Sequence, residues 1–129
     1  MRMSAGRIIA ILGLLIVPGV ALAQQQRLPE GVTQAMINEG KQLFAGTGLC
    51  AVCHGPEGKG MPSLGANLTD AEWLHSNGSY AGILETVQKG VTSDKSSSGT
   101  VMPPKGGSTL NDAQLKAVAA YVWSLSQKK

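Results

Sequence analysis

Two cysteines, Cys50 and Cys53, are the only thiols in a chain of 129 residues, and His54 directly follows the second. Side chains three positions apart on a helical turn are neighbours on one face, so both thiols can reach the same bound group. With the adjacent imidazole, the run Cys50-Ala51-Val52-Cys53-His54 has the C-x-x-C-H spacing by which c-type haem is attached. Each thiol would add to one vinyl group of the porphyrin, and His54 would meet the iron as its proximal ligand. Other chemistries share parts of this pattern. A thioredoxin-type C-x-x-C belongs to a βαβ setting, and no strand pattern precedes Cys50. A disulfide between the pair leaves His54 without a role. Zinc needs two more ligands, and His75 is the only other histidine. One covalent haem, haem c, is the expected cofactor.

The iron then needs a second axial ligand. Beyond the N-terminal segment the candidates are Met36, Met61, Met102 and His75. Met36 lies on the apolar side of a helical pattern and is assigned to core packing. Met61 is seven residues from His54, too close in sequence to cross readily to the opposite haem face. Met102 stands in a long Ser/Gly/Pro loop, Val91 to Thr109, and Pro103 and Pro104 after it hold its backbone away from helix. That presentation suits an axial thioether. His75, beside Ser76-Asn77-Gly78, is read as a surface residue.

The elements that must position these groups follow from periodicity and caps. Met36, Ile37, Gly40, Leu43 and Phe44 repeat at helical spacing from Thr33 to Phe44, with Gly46 as a C-terminal cap. Gly40 inside that helix costs about 1 kcal/mol relative to alanine, which points to a close crossing by another helix. Residues 46–65 form a Gly/Pro-rich loop around the haem turn. Thr69 and Glu72 have capping-box spacing, with Leu68 and Trp73 as the hydrophobic staple, so a short helix is expected to start there. Tyr80, Ile83, Leu84 and Val87 mark another between Ser79 and Lys89, stopped by Gly90. The last helix has a capping box in Asn111 and Gln114, a staple in Leu110 and Leu115, and an apolar face of Leu115, Val118, Ala119, Val122 and Leu125, with Tyr121 at its margin. No segment alternates with period two. The expected fold is all-α, four or so short helices around one haem, with no internal repeat.

The N-terminus reads as an export signal. Arg2 and Arg7 precede an apolar run from Ile8 to Val17, then Pro18-Gly19 and the small-residue site Ala21-Leu22-Ala23. Ile8 to Ala23 is 16 residues, short of the roughly 20 that span a bilayer. The expected division is a cleaved signal peptide over 1–23, a leader over 24–31 and one domain over 32–127, with periplasmic location and no stable membrane anchor after cleavage. Removing Arg2 and Arg7 lowers Lys+Arg from 11 to 9 against 8 Asp+Glu, a net charge near +1, and two haem propionates would bring it to about −1. No clustered basic face suggests nucleic acid. Aromatic residues make up only 4% of the chain, and a domain this small is commonly helped by a bound cofactor.

In the order of its motifs the chain resembles the class I cytochromes c: a Gly40/Phe44 helix, Cys50 to His54, Asn67-Leu68-Thr69-Asp70, Met102-Pro103-Pro104, and a final helix with Tyr121. Asn67 to Asp70, Trp73-Leu74 and Thr86-Val87 are similar to the haem domains of the dihaem subunit of cbb-type oxidases. The resemblance implies that Gly40 and Phe44 cross the last helix near Tyr121. It also implies that the carbonyl of Ala66, where the family usually has proline, accepts the other N–H of His54. Trp73 would approach a haem propionate through its indole N–H, compatibly with its role as a staple.

The function expected from these features is one-electron carriage between redox partner proteins of a respiratory or dehydrogenase chain, with His54/Met102 ligation and no catalysis. The protein would be a monomer or weakly associated. Electrons would pass at the haem edge near an apolar surface of Ala51, Val52 and Met61, rimmed by Lys59 and Lys105. The alternatives are a haem subunit of a larger oxidase or dehydrogenase, or a small haem enzyme or gas-binding protein with a labile sixth ligand.

Overall fold

The computed structural model describes residues 27–127; the expected signal peptide, leader residues 24–26 and Lys128 and Lys129 lie outside them. The elements in chain order are α1 (Gln34–Ala45), α2 (Cys50–His54), α3 (Tyr80–Lys89), a turn at Pro104–Gly107, and α4 (Asp112–Ser126). Among the described residues there is no strand, only two isolated bridges, Met61 with Gly65 and Val91 with Met102. No described helix is long and apolar enough to cross a membrane.

The long helices begin where their caps dictate. Thr33 caps α1 by accepting from the Met36 N–H, and Ser79 caps α3 by accepting from the Gly82 N–H. Asn111 and Gln114 close a reciprocal capping box on α4, each bond 3.0 Å. Gly46 ends α1 by returning its N–H to Gln42 and Leu43. Helix α1 packs on α4 through Ile37, Gly40 and Phe44, and α3 reaches the same core with Ile83 and Val87. A Cβ on Gly40 would lie 2.5 Å from the Ala117 carbonyl carbon and 2.9 Å from Tyr121 Cβ, so the close crossing expected at Gly40 is present. Phe44 meets Tyr121 edge to face, with centroids 5.3 Å apart.

Two expectations need correction. Tyr121 is buried rather than marginal, because Ala117, Ala119 and Ala120 let α4 sink into the core on most of its circumference. No helix starts at Thr69. Asn67 Oδ1 accepts from both the Thr69 N–H (2.9 Å) and the Thr69 hydroxyl (2.7 Å), while Asp70 Oδ1 takes the Glu72 N–H (3.1 Å). The hydroxyl and the amide that a capping box would join are thus bonded elsewhere. Asx side chains compete with helix in this way, and the few residues before Ser76-Asn77-Gly78 cannot offset nucleation. Leu68 and Trp73 still pack on the core. Residues 27–31 form no helix, but Leu28 packs on the core and the Val32 N–H bonds Pro29 O at 3.0 Å.

Candidate functional site

Five residues do not hold a helix by themselves, so α2 is held by its flanks. Leu49, at φ 59, turns the chain into it, a left-handed conformation that costs a non-glycine residue about 1–2 kcal/mol. Gly55, at φ 76, closes it with an N–H to Ala51 O at 2.9 Å, and the Gly60 N–H bonds His54 O at 2.8 Å. The loop then folds back through the Met61–Gly65 bridge, and the Leu68 N–H reaches Gly58 O at 2.7 Å. Gly65 lies against the haem-motif turn so closely that a Cβ would be 2.8 Å from the Cys53 carbonyl carbon and 3.1 Å from His54 Nδ1. Only a residue without a side chain lets this strand of loop pass there.

That passage carries Ala66 to the ring. His54 Nδ1–H donates to Ala66 O at 2.9 Å, since the carbonyl can only accept. The proton is therefore on Nδ1, and Nε2 is the nitrogen left to bind a metal. Cys50 is mostly buried, and its thiol donates to Gly48 O at 3.3 Å. Burial pushes that thiol up to about 11, so an unmodified Cys50 in this fold is a poor nucleophile near neutral pH.

Cys50, Cys53, His54, Ala66, Trp73 and Met102 all line one open cleft, whose space including its mouth is ≈ 910 Å³. Phe44, Ile83, Val87, Val118 and Val122 supply its apolar floor. Met102 is half-buried and stands on a loop fixed by the Val91 bridge. Trp73 is half-buried, and Gly78 lies flat against its indole. Its Nε1–H has no hydrogen-bond partner among the described residues, which leaves it available to a bound acceptor. An apolar cleft with two thiols, His54 Nε2 and the Met102 thioether, and with His75 also on its wall, fits a covalently held haem in donor type.

His75 is not the plain surface residue expected. It is half-buried and lines the same cleft, with its Nε2 accepting from the Ser97 N–H at 3.4 Å and its carbonyl accepting from Thr86 Oγ1 at 2.8 Å. Met61 is exposed and lies outside the lining. Gly65 carries weight that the sequence does not announce, and Thr86, singled out only by resemblance, gains a task as the tether of His75 O. The glycine-rich run from Gly55 to Gly65 is the one hint of close backbone approach.

The chain is 44% identical over 89 residues to the cbb3-type cytochrome c oxidase subunit CcoP of Rubrivivax gelatinosus, an alignment covering 68% of this chain and 25% of that one. It is 40% identical over 88 residues to subunit FixP of Azorhizobium caulinodans, covering 67% and 26%. The chain thus spans about a quarter of the length of these relatives. Among solved structures, cytochrome CL of Methylophaga aminisulfidivorans has a similar fold, with a TM-score of 0.55 at 22% identity over 81% of this chain and 71% of that one. The family model for cytochrome c matches residues 37–126, and the chain therefore belongs to the cytochrome c family of electron-transfer proteins that carry haem c.

Proposed function

We propose that this protein is an exported, periplasmic one-electron carrier that catalyses no reaction itself, with haem held covalently by Cys50 and Cys53 and its iron between His54 Nε2 and the Met102 sulfur. The bond from His54 Nδ1–H to Ala66 O carries this reading, because it directs Nε2 into an apolar cleft that Met102 also lines. When bound, haem iron supplies the ferrous–ferric couple. The chain's own part is to fix the imidazole, present the thioether, exclude water from the floor, and offer the Trp73 N–H to a propionate. Methionine opposite histidine raises the potential relative to two histidines, and the apolar walls tune it further.

Val52 and Met61 are 65% and 40% exposed beside the haem turn, which supports docking of a redox partner on an apolar surface. The basic rim is weaker than the sequence suggests. Lys59 pairs with Glu57 at 2.6 Å, and Lys105 Nζ donates to Leu110 O at 3.2 Å. The domain division of 1–23, 24–31 and 32–127 belongs to this proposal.

The test is spectroscopic. Haem should stay with the polypeptide after denaturation in acid solvent, and Cys50→Ala and Cys53→Ala should each alter the reduced spectrum. The ferric protein should show the weak far-red absorption of methionine sulfur on haem iron, and Met102→Ala should abolish it. Loss of all haem on denaturation would overturn the attachment; a far-red band that survives Met102→Ala would overturn the ligation. The likeness to oxidase subunits favours a second reading, as a subunit of a larger haem complex. Gel filtration of a native periplasmic extract separates that reading from a free carrier.

A further inference from the structure

The geometry points to Gly90 and Val91 as positioning residues that fix Met102 for the haem. This inference rests on Met102 being the iron's sixth ligand. The Val91 N–H donates to Met102 O at 2.8 Å, and the Met102 N–H donates to Val91 O at 2.9 Å. A single residue thus holds both backbone polar groups of the methionine, in an isolated bridge with no strand on either side. Val91 is itself fixed, because it directly follows Gly90, the cap of α3, whose N–H returns to Thr86 O at 2.8 Å.

Gly90 lies directly beneath the methionine's backbone. Its φ of 71 and ψ of −173 fall in a region open essentially to glycine alone. A Cβ there would be 2.7 Å from Pro104 N and 2.8 Å from the Pro103 carbonyl carbon, and closer still to Met102 O. The Met102-Pro103-Pro104 backbone is gripped from one side by α3 and stiffened from the other by two prolines. This grip matters because a methionine side chain has three rotatable bonds. Its sulfur can return to one place only if the backbone beneath it does not move.

The ordinary account of Gly90 is a glycine that ends a helix at positive φ. A cap accounts for the positive φ. It does not account for the lack of space over Met102 O, nor for the reciprocal pair of bonds from Val91. Gly99 separates the two explanations: it lies in the same loop at φ +74, and a Cβ there would have nothing within 4 Å. Gly99→Ala therefore imposes an unfavourable φ without touching the methionine.

The experiment compares full-length, haem-loaded wild type, Gly90→Ala, Gly99→Ala and Val91→Pro. The readouts are the far-red methionine band of the ferric form and the rate of carbon monoxide binding to the ferrous form. Wild type and Gly99→Ala should keep the band and bind carbon monoxide slowly. Gly90→Ala should lose most of the band while keeping its Soret peak and helical circular dichroism. Its carbon monoxide binding should be about ten-fold faster, because apparent binding scales with the fraction of protein in which the ligand is off. Val91→Pro removes the donor to Met102 O and should move both readouts the same way; it carries the test alone if Gly90→Ala does not accumulate. The inference is overturned if Gly90→Ala and Val91→Pro match wild type, or if Gly99→Ala changes as much as Gly90→Ala. A wild-type protein with no methionine band overturns the ligation reading and this inference together. A wild-type band that the Gly90 and Val91 variants leave unchanged overturns this inference alone.

Discussion

Replacing Gly40 by alanine tests the frame on which the haem cleft is built. The added methyl would sit where α1 crosses α4, 2.5 Å from the Ala117 carbonyl carbon and 2.9 Å from Tyr121 Cβ, where ordinary contacts lie at 3.4–4 Å. Helix α4 carries buried atoms on both sides of that point, so the carbonyl cannot swing away, and the helices must part by about 1 Å in an interior packed like a crystal. Overpacking of this kind costs about 1–3 kcal/mol. Parting the helices also weakens the Phe44–Tyr121 pair, now at 5.3 Å and 68°, and such pairs contribute about 0.5–1.5 kcal/mol. Against this, alanine in a helix gains about 1 kcal/mol over glycine.

The net expectation is a loss of about 2 kcal/mol, the sum of those overpacking, aromatic and propensity effects. In a domain of about 100 residues each kcal/mol moves Tm by roughly 4–8 °C, so Gly40→Ala should melt about 10 °C below wild type. The assay is thermal unfolding of the haem-loaded protein, followed by far-ultraviolet circular dichroism and by the Soret band. Glu39→Ala, on the exposed side of the same helix, should melt within a degree or two of wild type, as surface changes usually do. A Gly40→Ala protein that melts at or above wild type would refute the argument: the helices would have room to spare, and the glycine would serve no crossing.

Three further outcomes follow from the same structure. Met102→Ala should lower the midpoint potential and open the iron to carbon monoxide, since Met/His ligation raises the potential; potentiometry showing no change would remove Met102 from the site. Thr86→Val deletes the hydroxyl that bonds His75 O at 2.8 Å and Gly82 O at 3.0 Å. An acceptor left unsatisfied costs about 1–3 kcal/mol, so Tm should fall, and the potential should shift because the loosened wall carries Trp73 and His75; an unchanged melt would argue against this tether. With 9 Lys+Arg against 8 Asp+Glu once Arg2 and Arg7 are removed, electron-transfer rates to a partner should change by less than about ten-fold between low and physiological salt. A steep dependence in stopped-flow measurements would show a charged docking face.

The sequence made the helices legible wherever an apolar stripe was long enough. Asn111 with Gln114 adds a start signal to such a stripe, and the structure shows Thr33 and Ser79 capping the other two. Thr69 with Glu72 has the start signal but not the stripe, and there Asn67 and Asp70 bind the nearby polar groups locally. The spacing rule was met, yet the segment had no length over which burial could offset nucleation. Tyr121 was misplaced for a related reason. A stripe presumes one buried face, whereas three alanines let α4 be buried on most of its circumference.

The haem motif was legible because Cys50, Cys53 and His54 fall within five consecutive residues, and so short a run needs no fold to be recognised. Gly65, Thr86 and Gly90 act through chain segments that approach them from 11 to 14 positions away, so their neighbours in sequence say nothing of these contacts. They also share a physical setting. The cleft walls at 65–79 and 90–107 contain no α-helix, and side chains stand in for ladders: Thr100 Oγ1 donates to Ser63 O at 2.8 Å, Asn77 Oδ1 accepts from the Ser79 N–H at 3.0 Å, and Ser76 Oγ accepts from the Gly78 N–H at 2.9 Å. Each such bond contributes only about 0.5–1.5 kcal/mol, while the α1–α4 core carries most of the apolar burial. Losing a loop bond should therefore disturb the haem surroundings before it unfolds the protein. Ligation and potential are the sensitive readouts for the walls, and melting temperature is the sensitive readout for the frame.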